Sequence, residues 1–334
     1  MEMMIDAKGL GKDYRIRRHE GSLIKRIFHS DYDRKVAVTS IDIQMKEGEI
    51  VGFIGPNGAG KSTTIKMLTG ILQPDRGKVT VNGIVPGENR VQNAMNIGVV
   101  FGQRSQLWWD IPVKDTLHLM KHMYHIPEDV YQENLDLYSE ILGMKEFLNQ
   151  PVRQLSLGQR MRADIACAIL HNPKVLYLDE PTIGLDIFVK EAVRKLVKEI
   201  NEQKKTTVLL TTHDMTDIEK LCSRVMVIDK GMVIYEGSLE HLKEKYGYQE
   251  TVEAKGCWDS RTVMEIEALP SAFVKMEADK LLVHFDNRVV NSEQILFPIM
   301  QNNQIRDIKI HEKKLDKIIQ QLYQETCYEK SSMN

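Results

Sequence analysis

Nine residues constrain this chain more than any other stretch. Gly55-Pro56-Asn57-Gly58-Ala59-Gly60-Lys61-Ser62-Thr63 fits the pattern G-x-x-x-x-G-K-[ST]. An apolar run over residues 49–54 precedes it, and a helix-forming stretch follows to about Gly70. That context is what phosphate binding needs. Glycines let backbone N–H groups turn inward around phosphate oxygens, and the helix behind them offers the positive end of its dipole. A lysine at position 61 can then reach the β- and γ-phosphates of a nucleoside triphosphate. A hydroxyl at Ser62 can serve a magnesium ion. The pattern implies a strand–loop–helix unit inside an α/β sheet.

The surrounding sequence extends that unit. Residues 79–81 and 97–101 read as strands, and residues 112–150 read as mainly helical, punctuated by Pro112 and Pro127. Residues 175–178 form an apolar run of the kind buried in a parallel sheet. A helix over 186–203 and a strand over 207–211 come next. This alternation predicts an α/β domain over residues 1–240, with a helical subdomain at about 104–172. Near its start, Ile41, Ile43 and Met45 alternate with polar residues as in a strand. From Lys12 to Lys35 the chain is rich in basic residues. This stretch is either a loop close to nucleotide or membrane, or a solvated insertion. The tail, 241–334, shows strands at 251–254, 273–277, 281–285 and 305–310, with helices near 260–267 and 291–301. That βαββαβ order predicts a small ferredoxin-like α+β domain. A last helix carries Leu315, Ile318, Ile319 and Leu322 on one face.

Composition excludes several classes. Forty-five basic residues against 47 acidic ones give a net charge of −2, with no footprint for general nucleic-acid binding. Cys167, Cys222, Cys257 and Cys327 are widely spaced, so neither a zinc site nor a disulfide framework is expected. Free thiols fit a reducing cytoplasm. No apolar run approaches the ~20 residues that a membrane-spanning helix needs, and the first residues lack the apolar core of a signal peptide.

Further motifs follow in order. Leu155-Ser156-Leu157-Gly158-Gln159-Arg160-Met161-Arg162 resembles the signature motif of ABC ATPases. Val175-Leu176-Tyr177-Leu178-Asp179-Glu180-Pro181 resembles their Walker B strand. Gly184-Leu185-Asp186 is similar to the D-loop, and Thr212-His213-Asp214 to the H-loop. Gln103 stands where a Q-loop glutamine belongs. The resemblance covers roughly residues 5–240 and implies a P-loop NTPase of the ABC ATPase type, using ATP and Mg2+.

Carried over residue by residue, the resemblance implies the following roles. The loop from Gly55 to Thr63 holds the phosphates. Asp179 serves Mg2+ through water, together with Ser62 and Gln103. Glu180 acts as general base on the attacking water, and His213 contacts the γ-phosphate. Gln103 couples the nucleotide to a permease. Ser156, Gly158, Gln159 and Asp186 belong to the half of the site that a second copy completes. The commoner signature has glycine where this chain has Leu157; Ser156 and Gly158 are retained. Tyr14 resembles the aromatic residue that stacks on adenine, a core tyrosine being the alternative. One motif set implies a homodimer, with a heterodimer also open.

Two function classes stand at this point: a transporter ATPase, or a soluble ABC ATPase with a non-transport role. The chain shows no sustained heptads and no second ATPase domain, which favours transport. Residues 98–110 and 151–162 resemble a bacterial group paired with ABC-2 type permeases, which includes multidrug and viologen export ATPases. The resemblance therefore implies a peripheral subunit on the cytoplasmic side of the membrane, driving export of a drug-like or other small compound through a separate permease. Trp108 and Trp109, adjacent and bulky, are candidates for the docking surface.

Overall fold

A computed structural model describes residues 3–17, 32–102 and 104–332; for residues 16–17, 302 and 327–332 only the backbone is described. Gln103 and most of the basic stretch after Lys12 lie outside the described residues. The chain divides into two compact units, one ending at Gly237 and the other beginning at Ser238.

The first unit is built on a nine-stranded sheet of order β4-β1-β2-β9-β8-β3-β7-β6-β5. Its strands are β1 (Met3–Arg17), β2 (Tyr32–Lys46), β3 (Ile50–Ile54), β4 (Arg76–Val81), β5 (Ile97–Phe101), β6 (Val175–Asp179), β7 (Thr207–Thr211), β8 (Arg224–Asp229) and β9 (Met232–Ser238). Strands β8, β3, β7, β6 and β5 run parallel. Every residue of β3 and of β7 is buried, as expected of parallel strands covered on both faces. β1 instead pairs antiparallel with β2 on one side and with β4, the edge strand, on the other. There β2 alternates Ile41, Ile43 and Met45 inward against polar neighbours.

Helices connect these strands: α1 (Lys61–Leu68), α2 (Arg90–Asn96), α3 (Val113–Met123), α4 (Glu128–Ile141), α5 (Leu157–Ile169), α6 (Ile187–Lys204) and α7 (Met215–Leu221). Because β3, β7, β6 and β5 are parallel neighbours, the loops leaving their carboxyl ends open side by side. In open α/β sheets that edge is where ligands bind. These loops begin at Gly55, Thr212, Glu180 and Gly102, so the sheet order alone collects most of the motifs named above.

His171, just after α5, illustrates how tightly this unit is packed. Its ring stacks on Tyr124 with centroids 3.9 Å apart, and its Nε2–H donates to the Ile97 carbonyl at 3.1 Å. Burial pulls its pKa from the ordinary 6.5 down to about 4, the hydrogen bond opposing that shift. The unfolded chain takes up a proton near pH 6.5 that the folded protein refuses until about pH 4. The stability from neutral His171 is therefore fully present above pH 6.5 and lost as the pH falls toward 4. Buried Asp164 titrates near pH 6 with the opposite sign, so the test is a comparison. Urea unfolding at pH 7 and pH 5 should show a smaller acid loss for His171→Phe than for wild type, since both share Asp164.

The second unit opens with α8 (Leu239–Tyr246) and continues β10 (Gln249–Cys257), α9 (Ser260–Glu267), β11 (Phe273–Glu277), β12 (Lys280–Asp286), α10 (Ser292–Asn302), β13 (Gln304–His311) and α11 (Leu315–Ser332). Its sheet has the order β11-β12-β10-β13, antiparallel throughout. This is the arrangement of two interleaved βαβ units, the ferredoxin-like pattern. Val252, Ala254, Leu281, Val283 and Phe285 point from the sheet into a core closed by Ile266, Ile295 and Ile299 of the helices. Leu315, Ile318, Ile319 and Leu322 are all buried, as their helical spacing predicts.

Candidate functional site

The loop after β3 is shaped by two demands on its backbone. Gly60 sits at φ 109°, and a side-chain carbon there would lie 2.8 Å from the Ala37 carbonyl, so only glycine is accommodated. The loop then runs directly into α1, whose first residues are Lys61, Ser62 and Thr63. Lys61 is buried, and its Nζ donates to the Gly55 and Pro56 carbonyls at 2.5 and 3.2 Å. Burial lowers its pKa, while the nearby charges of Glu180 and Asp179 oppose that shift. An ammonium kept at the floor of a glycine loop, in front of a helix N-terminus, makes a site for a polyanion.

Two clefts meet at this loop. One, about 760 Å3, is lined by Tyr14, Lys35, Val36 and Ala37 together with Pro56, Asn57, Gly58, Gly60, Lys61, Ser62, Thr63 and Glu180. Tyr14 is thus not a core tyrosine; it is 37% exposed and faces the loop's cleft. The other, about 530 Å3, is lined by Asn57, Ser62, Gly102, Asp179, Glu180 and His213, among others. Ser62 and Asp179 therefore present a hydroxyl and a carboxylate to one cleft, a hard-oxygen donor set that suits a small divalent cation.

Asp179 ends β6 and accepts a hydrogen bond from Thr211 Oγ1 at 2.6 Å. The next residue, Glu180, takes the left-handed conformation at φ 57°, which costs a non-glycine residue free energy. It is held there because its N–H donates to the Thr211 carbonyl at 3.0 Å. Gly102 lies against this turn: a side-chain carbon there would come within 2.6 Å of the Glu180 carbonyl. The kink turns the Glu180 carboxylate toward His213, whose Nε2 lies 2.8 Å from Glu180 Oε1 and 3.2 Å from Asn57 Oδ1. With an acceptor oxygen on each side, Nε2 carries the proton. Three separate motifs meet in this triad, and the structure places the phosphate loop, the Asp179–Glu180 pair and His213 around one space.

The signature segment forms a helix start. Ser156 caps α5, its hydroxyl accepting from the Gln159 N–H at 3.2 Å while Gln159 Oε1 accepts from the Ser156 N–H at 2.9 Å. This is a capping box, and it leaves Leu157 half exposed. Gly158 tolerates its surroundings: a side-chain carbon would meet only Val189 and Leu185, at ordinary contact distance. Asp186 likewise caps α6, accepting from the N–H groups of Phe188 and Val189.

Several supporting residues were not visible in the sequence motifs. Asp164 on α5 is buried and accepts from Ser105 Oγ at 3.0 Å and from the Gln106 N–H at 2.9 Å. It therefore fixes the segment that follows Gln103 to the helix that carries the signature. Burial raises its pKa to about 6 against those hydrogen bonds. One turn earlier on α5, the Arg160 guanidinium stacks on Trp109 at 4.5 Å. Trp108 and Trp109 are each 51% exposed. The one legible signal for Asp164 was a lone carboxylate inside the apolar run Ala163–Ala168 of a helix.

Fold and site together define an α/β P-loop ATPase that binds nucleoside triphosphate. The family model described as "ABC transporter" matches residues 38–183. The chain is 33% identical over 208 residues to the ABC transporter ATP-binding protein NatA of Bacillus subtilis, covering 62% of this chain and 84% of that protein. To the linearmycin resistance ATP-binding protein LnrL of the same organism it is 34% identical over 216 residues, covering 65% and 69%. Among solved structures, a dimeric post-hydrolysis state of the ATP-binding cassette MJ0796 with ADP and Pi superposes with a TM-score of 0.60 at 26% identity, covering 71% of this chain and 99% of that one. The chain belongs to the ABC transporter ATP-binding proteins: it is an ATP-binding, ATP-hydrolysing subunit of an ABC transporter. No described helix is long and apolar enough to cross a membrane.

Proposed function

We propose that this subunit drives export of a drug-like or other small compound through a separate ABC-2 type permease, docked at the cytoplasmic face of the membrane. The observation that carries permease coupling is the Trp108–Trp109 pair. Two large rings stand half exposed on a segment bound to the signature helix by Asp164 and Arg160. Exposed aromatics of this kind are the usual anchors of a protein interface, and their tether gives docking a direct route to the nucleotide site. Export rests on the resemblance of residues 98–110 and 151–162, supported by a resistance-type relative. Import ATPases are also among the relatives.

At the site, the loop amides of residues 55–63 and Lys61 hold the β- and γ-phosphates, and Tyr14 stacks on the adenine. Ser62 and Asp179 fit Mg2+, which when bound neutralises charge on the phosphate oxygens; Gln103 is assigned to the same ion. Glu180 takes the proton of the attacking water, and His213 donates from Nε2 toward the γ-phosphate. Ser156 and Gly158, at the exposed start of α5, complete the site of a second copy in a homodimer, with Gln159 and Asp186 holding the two helix starts that face it.

The docking assignment is tested by co-expressing this chain with an ABC-2 type permease that it energises. Trp108→Ala and Trp109→Ala should each leave the ATPase activity of the isolated subunit within about twofold of wild type. At least one should lower permease binding roughly 10- to 100-fold, as expected for an interface anchor, and abolish transport. Co-purification and transport that survive both replacements would remove the docking role.

A further inference from the structure

The reading of Glu180 and His213 leaves open what holds them in register. The His213 side chain is 47% exposed, so packing does not fix it. Its two chain neighbours are fixed instead, Thr212 by Asp217 and Asp214 by Lys190. Asp217, in the first turn of α7, is 1% exposed. One of its carboxylate oxygens, Oδ2, accepts from Thr212 Oγ1 at 3.1 Å and from Thr182 Oγ1 at 2.5 Å. Thr212 immediately precedes His213. Thr182 stands two residues after Glu180, at the turn that leads toward Asp186. The other oxygen, Oδ1, is taken by Arg194 of α6, with its Nε at 2.6 Å and Nη2 at 2.5 Å. Arg194 is itself only 5% exposed. On the far side of His213, Asp214 is held by Lys190 of the same helix at 2.7 Å, and its N–H donates back to Thr212 Oγ1 at 3.0 Å.

We infer that Asp217, clamped by Arg194, is a positioning residue for hydrolysis: it ties the segment after Glu180 and the segment bearing His213 to a single carboxylate oxygen. A carboxylate gripped by a planar guanidinium has a fixed orientation. Two hydroxyls from segments 30 residues apart in sequence then converge on its remaining oxygen. Any movement of one segment is felt by the other. A brace needed only for stability would require the Arg194 pair alone, not convergence from both sides of the Glu180–His213 contact. Displacing a catalytic group by about 1 Å can cost on the order of 100-fold in rate. The inference rests on the assignment of His213 to the γ-phosphate.

The test uses the full chain with MgATP. Thr212→Val and Thr182→Val each remove one hydroxyl and keep the buried Asp217–Arg194 pair, so both should fold. Each should lower kcat about 10- to 100-fold with the KM for ATP within about threefold, and the serine replacements should recover most of the rate. Asp217→Asn should do the same, and added to a Glu180→Gln/His213→Ala double variant it should slow hydrolysis no further, because it acts through those two groups. Wild-type rates in both valine variants would overturn the inference, as would an Asp217→Asn effect that multiplies with that of the Glu180→Gln/His213→Ala double variant. If His213→Ala alone hydrolysed ATP at the wild-type rate, the γ-phosphate assignment itself would fall, and the inference with it. Should Asp217→Asn not fold, the two valine variants and their serine counterparts decide the matter.

Discussion

Glu180→Gln is expected to lower the ATP hydrolysis rate about 10²- to 10⁴-fold, the usual contribution of a general base, while leaving nucleotide binding intact. The structure explains why the effect should be so selective. Glutamine is isosteric and keeps Oε1 as an acceptor for His213 Nε2, now at 2.8 Å from the glutamate. The left-handed turn at residue 180 is set by backbone bonds to Thr211, which the substitution does not touch. Lys61, Ser62 and Asp179 also remain in place. What is lost is the capacity to accept a proton from water, together with the repulsion between a carboxylate and a triphosphate. Unhydrolysed ATP should therefore accumulate and hold two copies together. The measurement is steady-state phosphate release, paired with size-exclusion chromatography with and without MgATP. A variant as fast as wild type would sink the base assignment. A slow variant that stays monomeric in MgATP would spare the base and count against completion of the site by Ser156 and Gly158 of a second copy.

The same outcome bears on Leu157. Where the commoner signature has glycine, this chain places a half-exposed leucine. Leu157 approaches Gly184, since a side-chain carbon built there would lie 3.2 Å from the leucine Cδ2. The capping box across it is complete, so the helix start keeps its geometry whichever side chain occupies that position. A dimer of Glu180→Gln in MgATP would show that a bulky residue here is compatible with closure.

Much of this architecture was legible in the sequence because its signals are local. The glycine loop, the buried runs of β3, β6 and β7, and the βαββαβ tail each announce themselves within a short window of chain. Ser156 and Gln159 also form a local pattern, S-x-x-Q, of the kind that starts a helix, although only the structure shows the capping box they make. The left-handed turn at Glu180 was not legible. Nothing in its neighbours demands positive φ, and it is imposed by Thr211 on an adjacent strand. The bracing roles of Asp217, Arg194, Thr182 and Thr212 escaped for the same reason: the contacts that give them meaning mostly link distant parts of the chain, across α6, α7 and two loops. Asp164 lies between these cases. A carboxylate in an apolar helical run is an anomaly visible in sequence, but its partners, Ser105 and Gln106, became known only from the fold. Tyr14 was open between core and cleft until β1 placed it at the sheet's exposed end, beside the phosphate loop. Motif spacing thus located the reacting groups, whereas the residues that orient them are set by tertiary contact.

Lys61→Ala should reduce both binding and turnover, and the state of this lysine predicts the balance between them. Its ammonium is buried against the Gly55 and Pro56 carbonyls, waiting at the loop floor rather than in solvent. A charged hydrogen-bond donor of this kind is typically worth about 1.5–3 kcal/mol in binding, or roughly 10- to 150-fold in ATP affinity. Charge on the γ-phosphate oxygens redistributes during transfer, so the same donor also acts on the rate. Removal of one preorganised donor costs about 10²- to 10³-fold in kcat. Folding should respond differently. Because burial lowers the pKa of Lys61, its charged form is less favourable in the folded protein than in the unfolded chain. Alanine relieves that cost while leaving two loop carbonyls without their partner, so these effects oppose each other. The melting temperature without nucleotide should change little, while the rise in melting temperature on adding ATP should largely disappear. Isothermal titration with ATP, phosphate release and thermal unfolding of the same preparation separate the three quantities. Wild-type turnover with unchanged ATP affinity would show that Lys61 serves the loop alone; a collapse of the unliganded fold would show that its hydrogen bonds to Gly55 and Pro56 outweigh the burial of its charge.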